Sequence, residues 1–158
     1  MKKVIVSILL FFVAGACASF AGDQAEGFWK SVDEQGKITA YWKFWVETDE
    51  LKGTIVKIPD GKGDETCNEC MDDTASWKGK PVVGTVWIWG FHKDGDKWIK
   101  GKIIDSGKGK LYWASVKVID GGSSAEVRGS IDRWGLAGRT QVWKRLSDTE
   151  VSSLKLKK

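Results

Sequence analysis

Eight short runs rich in apolar and aromatic residues, each cut off by turn residues, set the narrowest limit on what this chain can fold into. They read GFWKSV (27–32), ITAYWKFWVE (38–47), LKGTIVKI (51–58), PVVGTVWIWGF (81–91), WIKGKIID (98–105), LYWASVKVI (111–119), AEVRGSID (125–132) and GRTQVWKRL (138–146). Between most of them stand hairpin turns such as DEQGK, TDE, KDGDK, SGKGK and DGGSS, and one long loop separates the third run from the fourth. Runs of this length and composition, bounded by such turns, predict eight antiparallel strands with mostly hairpin connections. Nineteen glycines and two prolines supply the turn chemistry. A meander of this kind either packs as a sandwich or closes as an up-and-down barrel, and closure pairs the first strand with the last so that no edge is left open. Both end strands carry core-type residues, Trp29 in the first and Trp143 with Arg145 in the last, which favours the barrel.

Alternation then assigns faces. In the second strand Thr39 and Lys43 point out, so Ile38, Ala40, Trp42, Phe44 and Val46 point in. In the sixth, Ser115 and Lys117 point out and Tyr112, Ala114, Val116 and Val118 point in. In the eighth, Lys144 is outside, leaving Arg139, Gln141, Trp143 and Arg145 inside. The fourth strand is apolar on both faces, and parity cannot orient it. Ten tryptophans are a heavy load for one small domain, and bulky rings filling a narrow eight-stranded interior account for most of them. The same rule turns Tyr41, Trp45, Trp98 and Trp113 outward. An aromatic belt of that kind is either a partner surface, with a homodimer the simplest case, or ground covered by a loop or terminus.

The ends of the chain add two expectations. The first residues combine Lys2 and Lys3, an apolar run from Val4 to Gly15, and small residues around Ser19-Phe20-Ala21, the pattern of a secretory signal cleaved after Ala21. Cys17, in AGAC, offers a competing lipoprotein site, but Ala14 stands where such boxes carry Leu, and the downstream cleavage site is the better one. The protein is thus expected to be periplasmic or secreted, as a single domain from 22 to 158. Without Lys2 and Lys3, 23 basic side chains face 21 acidic ones, and no Lys/Arg block remains that would track nucleic acid. At the other end, Ser147 and Glu150 have capping-box spacing and Leu146 and Val151 that of a hydrophobic staple, so a short helix is expected from about Asp148.

The chain resembles the bacterial domain-of-unknown-function 2147 family of exported lipocalin-like barrels. The likeness runs through GFWKSVDEQGK, the CxxC loop found in a subset of members, GKPVVGTVWIWGFHKDGDKWIKGKIID, GKLY, VRGSI and GRTQVWKR. The Gly27-x-Trp29 opening and Arg145 after Trp143 also look like the calycin signature. That resemblance implies that Trp29 lies under Arg145 at the closed end, a stacking with a cation–π gain. Two departures stand out: TDELKG lacks the cysteine pair many members carry near the third strand, and DSGKGKLY lacks the proline of the usual DPxNGKxY. The family has no agreed activity, so the likeness implies a fold and little chemistry.

Candidate chemistry is correspondingly thin. Cys67 and Cys70 lie in DETCNECMDD, with no further ligands to make a zinc site, since His92 is far along the chain. Met71 replaces the histidine a haem attachment needs. The acids around the pair oppose a stabilised thiolate. A soft copper(I) site of Cys67, Cys70 and Met71 is chemically conceivable, but in an oxidising compartment the default is a disulfide stiffening the long loop. The acids from Asp60 to Asp73 do not fit a calcium loop, because Lys62 and Glu65 occupy key positions. His92, beside a turn, reads as a surface residue, and no nucleophile motif or phosphate loop accompanies it, so no enzyme, metal or cofactor is expected. Inside the barrel, Arg139, Gln141 and Tyr112 stand among Trp42, Phe44 and Trp143. A mostly apolar wall with a few placed polar groups suits a small apolar or amphipathic ligand, with Arg139 for an anionic head. The alternative is a barrel filled solid, with Arg139 at the rim in water or paired with an internal acid.

Overall fold

The structure is a computed structural model that describes residues 22–61 and 63–156. The expected leader, its cleavage site and Cys17 fall outside the described residues. Eight strands, β1 (Gly27–Val32), β2 (Ile38–Glu47), β3 (Glu50–Lys57), β4 (Val86–Asp94), β5 (Lys97–Asp105), β6 (Lys110–Ile119), β7 (Ser124–Ser130) and β8 (Gly138–Arg145), pair in chain order and close into an antiparallel barrel. The fourth run begins later than expected, because PVVGT belongs to the β3–β4 loop. The β1–β2, β3–β4, β5–β6 and β7–β8 connections gather at one end, the mouth. The other three connections and the entering segment Asp23–Glu26 gather at the closed end. Closure is narrow: the β1–β8 ladder consists of Trp29↔Arg145 and Lys30↔Lys144, both near the closed end, and β8 parts from β1 toward the mouth.

Bulges are where strict alternation fails, since one extra residue inverts every face beyond it. Ser31 pairs with Ala40 and Val32 with Ile38, so Thr39 is the extra residue. Contrary to expectation, Thr39 therefore lies on the inner side at the mouth, its hydroxyl 2.8 Å from Ser31 Oγ, while Ile38 packs on the outside. In β5, Trp98 faces Val116 and Gly101 faces Ala114, with Lys100 at φ 59° between them. The bulge turns Trp98 inward, and the expectation that it lay on the outer belt is corrected: it is buried in the core and donates from Nε1 to Asp23 Oδ1 at 3.0 Å. In β4, Ile88 faces Gly53 and Phe91 faces Leu51, with Gly90 at φ 76° taking up the extra residue. From Val86 to Phe91 this strand is apolar on both faces because the β3–β4 loop folds back on it. Trp87 Nε1 donates to Val82 O at 2.7 Å, and Trp89 stacks on Trp77 of the loop at 5.0 Å between ring centres.

Tyr41 does point outward, as expected, but it is buried. The helix α1 (Asp148–Ser153) lies over it, and Leu146, Val151, Phe28 and Ile38 share the patch. Both expected capping contacts hold the helix start, Ser147 N to Glu150 Oε2 at 2.8 Å and Glu150 N to Ser147 Oγ at 3.2 Å. Lys30 Nζ adds an ion pair to Glu150 Oε1 at 2.6 Å. The continuous outer belt therefore reduces to Trp45 and Trp113, each half-buried, with Lys102 Nζ 5.1 Å above the Trp113 ring.

Candidate functional site

The closed end is solid. Trp29, fully buried, donates from Nε1 to Ala25 O at 2.9 Å, and the Arg145 guanidinium sits 4.1 Å from its ring centre. The same guanidinium donates to Glu26 O at 2.6 Å, to Gly122 O at 2.5 Å and to Gln24 O, stitching the entering segment to the β6–β7 turn. Partial burial lowers the Arg145 pKa from its ordinary value, and three carbonyl acceptors offset the desolvation. Nearby, Asp23 bonds Lys93 and Trp98. Burial raises its pKa, but the hydrogen bonds from Lys93, the Ala25 N–H and Trp98 together bring the carboxyl below its usual value.

Large rings fill the next layer by lying on glycines. A Cβ at Gly101 would come within 2.0 Å of the Phe91 ring, and one at Gly53 within 2.7 Å of the Phe44 ring. Phe44 contacts Trp29, Trp42 and Trp143 at 5.6 to 6.5 Å between ring centres. It belongs to this packed layer and not, as the sequence suggested, to a ligand wall.

Above it Trp42 and Trp143 stack at 5.0 Å and 28°, and the barrel stops being full. From this aromatic floor a cavity of about 860 Å³ opens to the mouth. Its floor is saturated with internal hydrogen bonds: Trp42 Nε1 donates to Ser31 Oγ at 3.1 Å and Trp143 Nε1 to Gln141 Oε1 at 3.0 Å. Ile55, Ile103, Val127 and Tyr112 make the wall, and Asp105, Lys108 and Arg139 stand at the rim. Of the residues expected to meet a ligand, Trp42, Tyr112, Arg139 and Gln141 line this space, together with Trp143, expected both among the inner aromatics and in closing the barrel. Arg139 is a rim residue, 74% exposed, as the alternative placed it, but it pairs with the exposed Glu34 Oε1 at 2.5 Å rather than an internal acid, and the space beneath it is not filled.

The mouth is framed by two ordered loops. Cys67 and Cys70 form the expected disulfide, fully buried. The loop holding them is pressed so closely on the β5–β6 turn that a Cβ at Gly109 would meet Glu69 O at 1.9 Å, while Thr74 Oγ1 donates to Gly109 O at 2.7 Å. Glycine is required there for the approach and for its φ of 63°. Opposite, the β7–β8 loop carries Ile131, Trp134 and Leu136 in the open, residues that strand alternation gave no reason to single out. No group of three or more His, Cys, Asp or Glu side chains suited to a metal occurs among the described residues.

Comparison with known proteins agrees with this architecture. A solved structure of protein HP1028 from the human pathogen Helicobacter pylori, described as belonging to the lipocalin family, superposes with a TM-score of 0.74. The match covers 84% of this chain and 90% of that one at 24% identity, a likeness of fold. No curated protein matches the chain. Residues 27–145, from the first strand to the last, match the family model of an uncharacterized protein conserved in bacteria, and the chain belongs to that family, DUF2147.

Proposed function

We propose that the protein is an exported carrier or store that holds one small apolar or amphipathic molecule in the open half of its barrel. The observation that carries this reading is the half-empty interior: a cavity of about 860 Å³ above a flat aromatic floor whose indole N–H groups are already bonded within the protein. A floor with no polar group left to satisfy accepts apolar surface at little desolvation cost. The rim, with Lys108 and the Arg139–Glu34 pair, suits a polar or charged head group in contact with water. The lipocalin-like fold supports the same reading, and the buried disulfide fits an oxidising compartment outside the cytoplasm. No chemical step is assigned to the site.

A titration with a fluorescent fatty acid such as cis-parinaric acid tests the proposal, with Ala40→Leu as the filled-cavity control. Ala40 lines the cavity and is 6% exposed, so a larger side chain there occupies the ligand's space. The expected result is saturable uptake at one molecule per barrel, weakened about tenfold or more by Ala40→Leu, as the loss of roughly a pair of buried methylenes implies. Uptake that Ala40→Leu leaves unchanged, or no uptake at all, would overturn the reading.

A further inference from the structure

The β7–β8 loop, residues 131–137, presents three large apolar side chains to solvent: Ile131 at 75%, Trp134 at 78% and Leu136 at 82% exposure. Apolar exposure on a slack loop would mean little, but this loop is tightly ordered. The Asp132 carboxylate accepts from the backbone N–H groups of Trp134 (3.0 Å), Leu136 (3.1 Å) and Ala137 (2.6 Å). Those N–H bonds, the Ala137 and Leu136 ones foremost, hold its carboxyl below the usual range. From the barrel side Arg128 donates to Gly135 O at 2.9 and 2.6 Å and to Leu136 O at 3.3 Å, and Ser130 Oγ donates to Asp132 O at 2.8 Å. Ile131 N and Ala137 O close the loop at its base at 3.0 Å. The N–H groups of Trp134, Gly135, Leu136 and Ala137 and the carbonyls of Asp132, Gly135 and Leu136 thus find partners inside the protein, while the Ile131, Trp134 and Leu136 side chains stay in the open.

Backbone groups bonded in this way lower the cost of meeting the boundary between headgroups and hydrocarbon, where a group without a partner is costly, and facing water does not call for them. A tryptophan beside two aliphatic residues is also the composition of an interfacial anchor. Charge agrees: Arg133 is exposed with its guanidinium 5.7 Å from the Trp134 ring centre, placed to reach phosphate while the indole sinks below it. The acids on this side are engaged locally, Asp132 by the loop backbone and Glu34 by Arg139. We propose that the β7–β8 loop is a lipid-surface anchor that sets the mouth of the barrel against a bilayer bearing anionic phospholipid. The strand order puts the acidic β3–β4 loop across the mouth from it, so the molecule meets the bilayer tilted, with the β7–β8 side lowest. Docking does not depend on what the cavity holds.

Co-sedimentation of the purified protein with phosphatidylethanolamine–phosphatidylglycerol vesicles, and in parallel with pure phosphatidylcholine vesicles, tests this. The protein should sediment with the first and less with the second. The double variant Trp134→Ser/Leu136→Ser should lose about tenfold or more in partitioning, since two large apolar side chains no longer leave water. Arg133→Gln should lose roughly fivefold, on the phosphatidylglycerol vesicles alone. All three side chains are exposed, so the fold is checked simply by an unchanged midpoint of urea unfolding. Ala40→Leu should bind vesicles as the unaltered protein does, which separates surface docking from lipid drawn into the cavity. Wild-type protein left in the supernatant with both vesicles, or a double variant that binds as well as wild type, would overturn the proposal. So would a dimer, seen by sedimentation velocity, that the double variant dissociates while vesicles bind neither form, because the loop would then join two copies of this chain.

Discussion

Below the Trp42–Trp143 stack the barrel buries Trp29, Phe44, Leu51, Ile88, Phe91 and Val116 to 1% exposure or less, whereas above it a cavity of about 860 Å³ opens to the mouth. The backbone is continuous between the halves, and the difference lies in how side-chain sizes face one another. In the packed half a ring lies where a side chain is missing, Phe44 on Gly53 and Phe91 on Gly101. Toward the mouth Ala40, Ser31 and Gly129 line the space, and a Cβ at Gly129 would meet nothing nearer than 3.8 Å. One half therefore carries stability and the other leaves room, so the mouth can vary in chemistry without loss of the fold.

Truncation is the strongest way to break that comparison. Phe91→Ala, in the packed half, should cost about 3–5 kcal/mol, the range for deleting a fully buried ring that leaves its cavity behind. Tyr112→Ala, on the cavity wall, should cost about 1 kcal/mol or less, because its ring already borders open space. Urea unfolding of both variants reads the contrast as a difference in midpoint at similar slope. Equal losses would mean that the open half is as tightly packed as the closed one.

Arg145→Ala comes next, with an expected loss of about 2–3 kcal/mol, since three backbone carbonyls at the closed end lose a charged donor. Arg145→Lys should recover only part of it, because a single ammonium cannot reproduce the fork that spans Gln24, Glu26 and Gly122. Thermal melts of the two variants decide this. A lysine variant as stable as the wild type would show that the charge over Trp29, and not the stitching of the chain ends, holds the closed end shut.

The closed half was the more legible of the two in the sequence, and the reason is physical. Alternating apolar residues and turn glycines encode strands and their faces directly, so GFWKSV and ITAYWKFWVE coincide with β1 and β2. Ser147 and Glu150 likewise encode the start of α1. A bulge leaves no such mark: Lys100 at φ 59° is an ordinary lysine in sequence, yet it carries Trp98 from the outer face to the core. Cover by distant segments is equally silent, as α1 over Tyr41 and the β3–β4 loop over Trp89 show. At the mouth the residue types were readable but their depth was not, so Arg139 turns out to stand in water and Phe44 under the floor. Trp134 escaped notice because an apolar side chain carries no sign that it will be left exposed.

The smallest effect concerns acid and lies outside both halves, in the clasp between β1 and α1. Lys30 Nζ and the Ser147 N–H hold the Glu150 carboxyl down to a pKa of about 2, against an ordinary 4.5. A carboxyl whose folded pKa is depressed adds stability in full above the unfolded value and loses it as pH falls through the folded one. The contribution of Glu150 is therefore complete above about pH 4.5 and disappears toward pH 2. The pair is partly exposed, and solvent screening reduces the expected loss to about 1 kcal/mol or less. Asp23, also depressed, titrates at the closed end, so the clasp is isolated by subtracting the pH dependence of Glu150→Gln from that of the wild type. The difference between the two unfolding curves should shrink steadily below pH 4.5 while fatty-acid uptake is the same for both proteins. If uptake changes with Glu150→Gln instead, α1 is coupled to the cavity through Tyr41 and the neighbouring Trp42, and the two halves of the barrel are not independent.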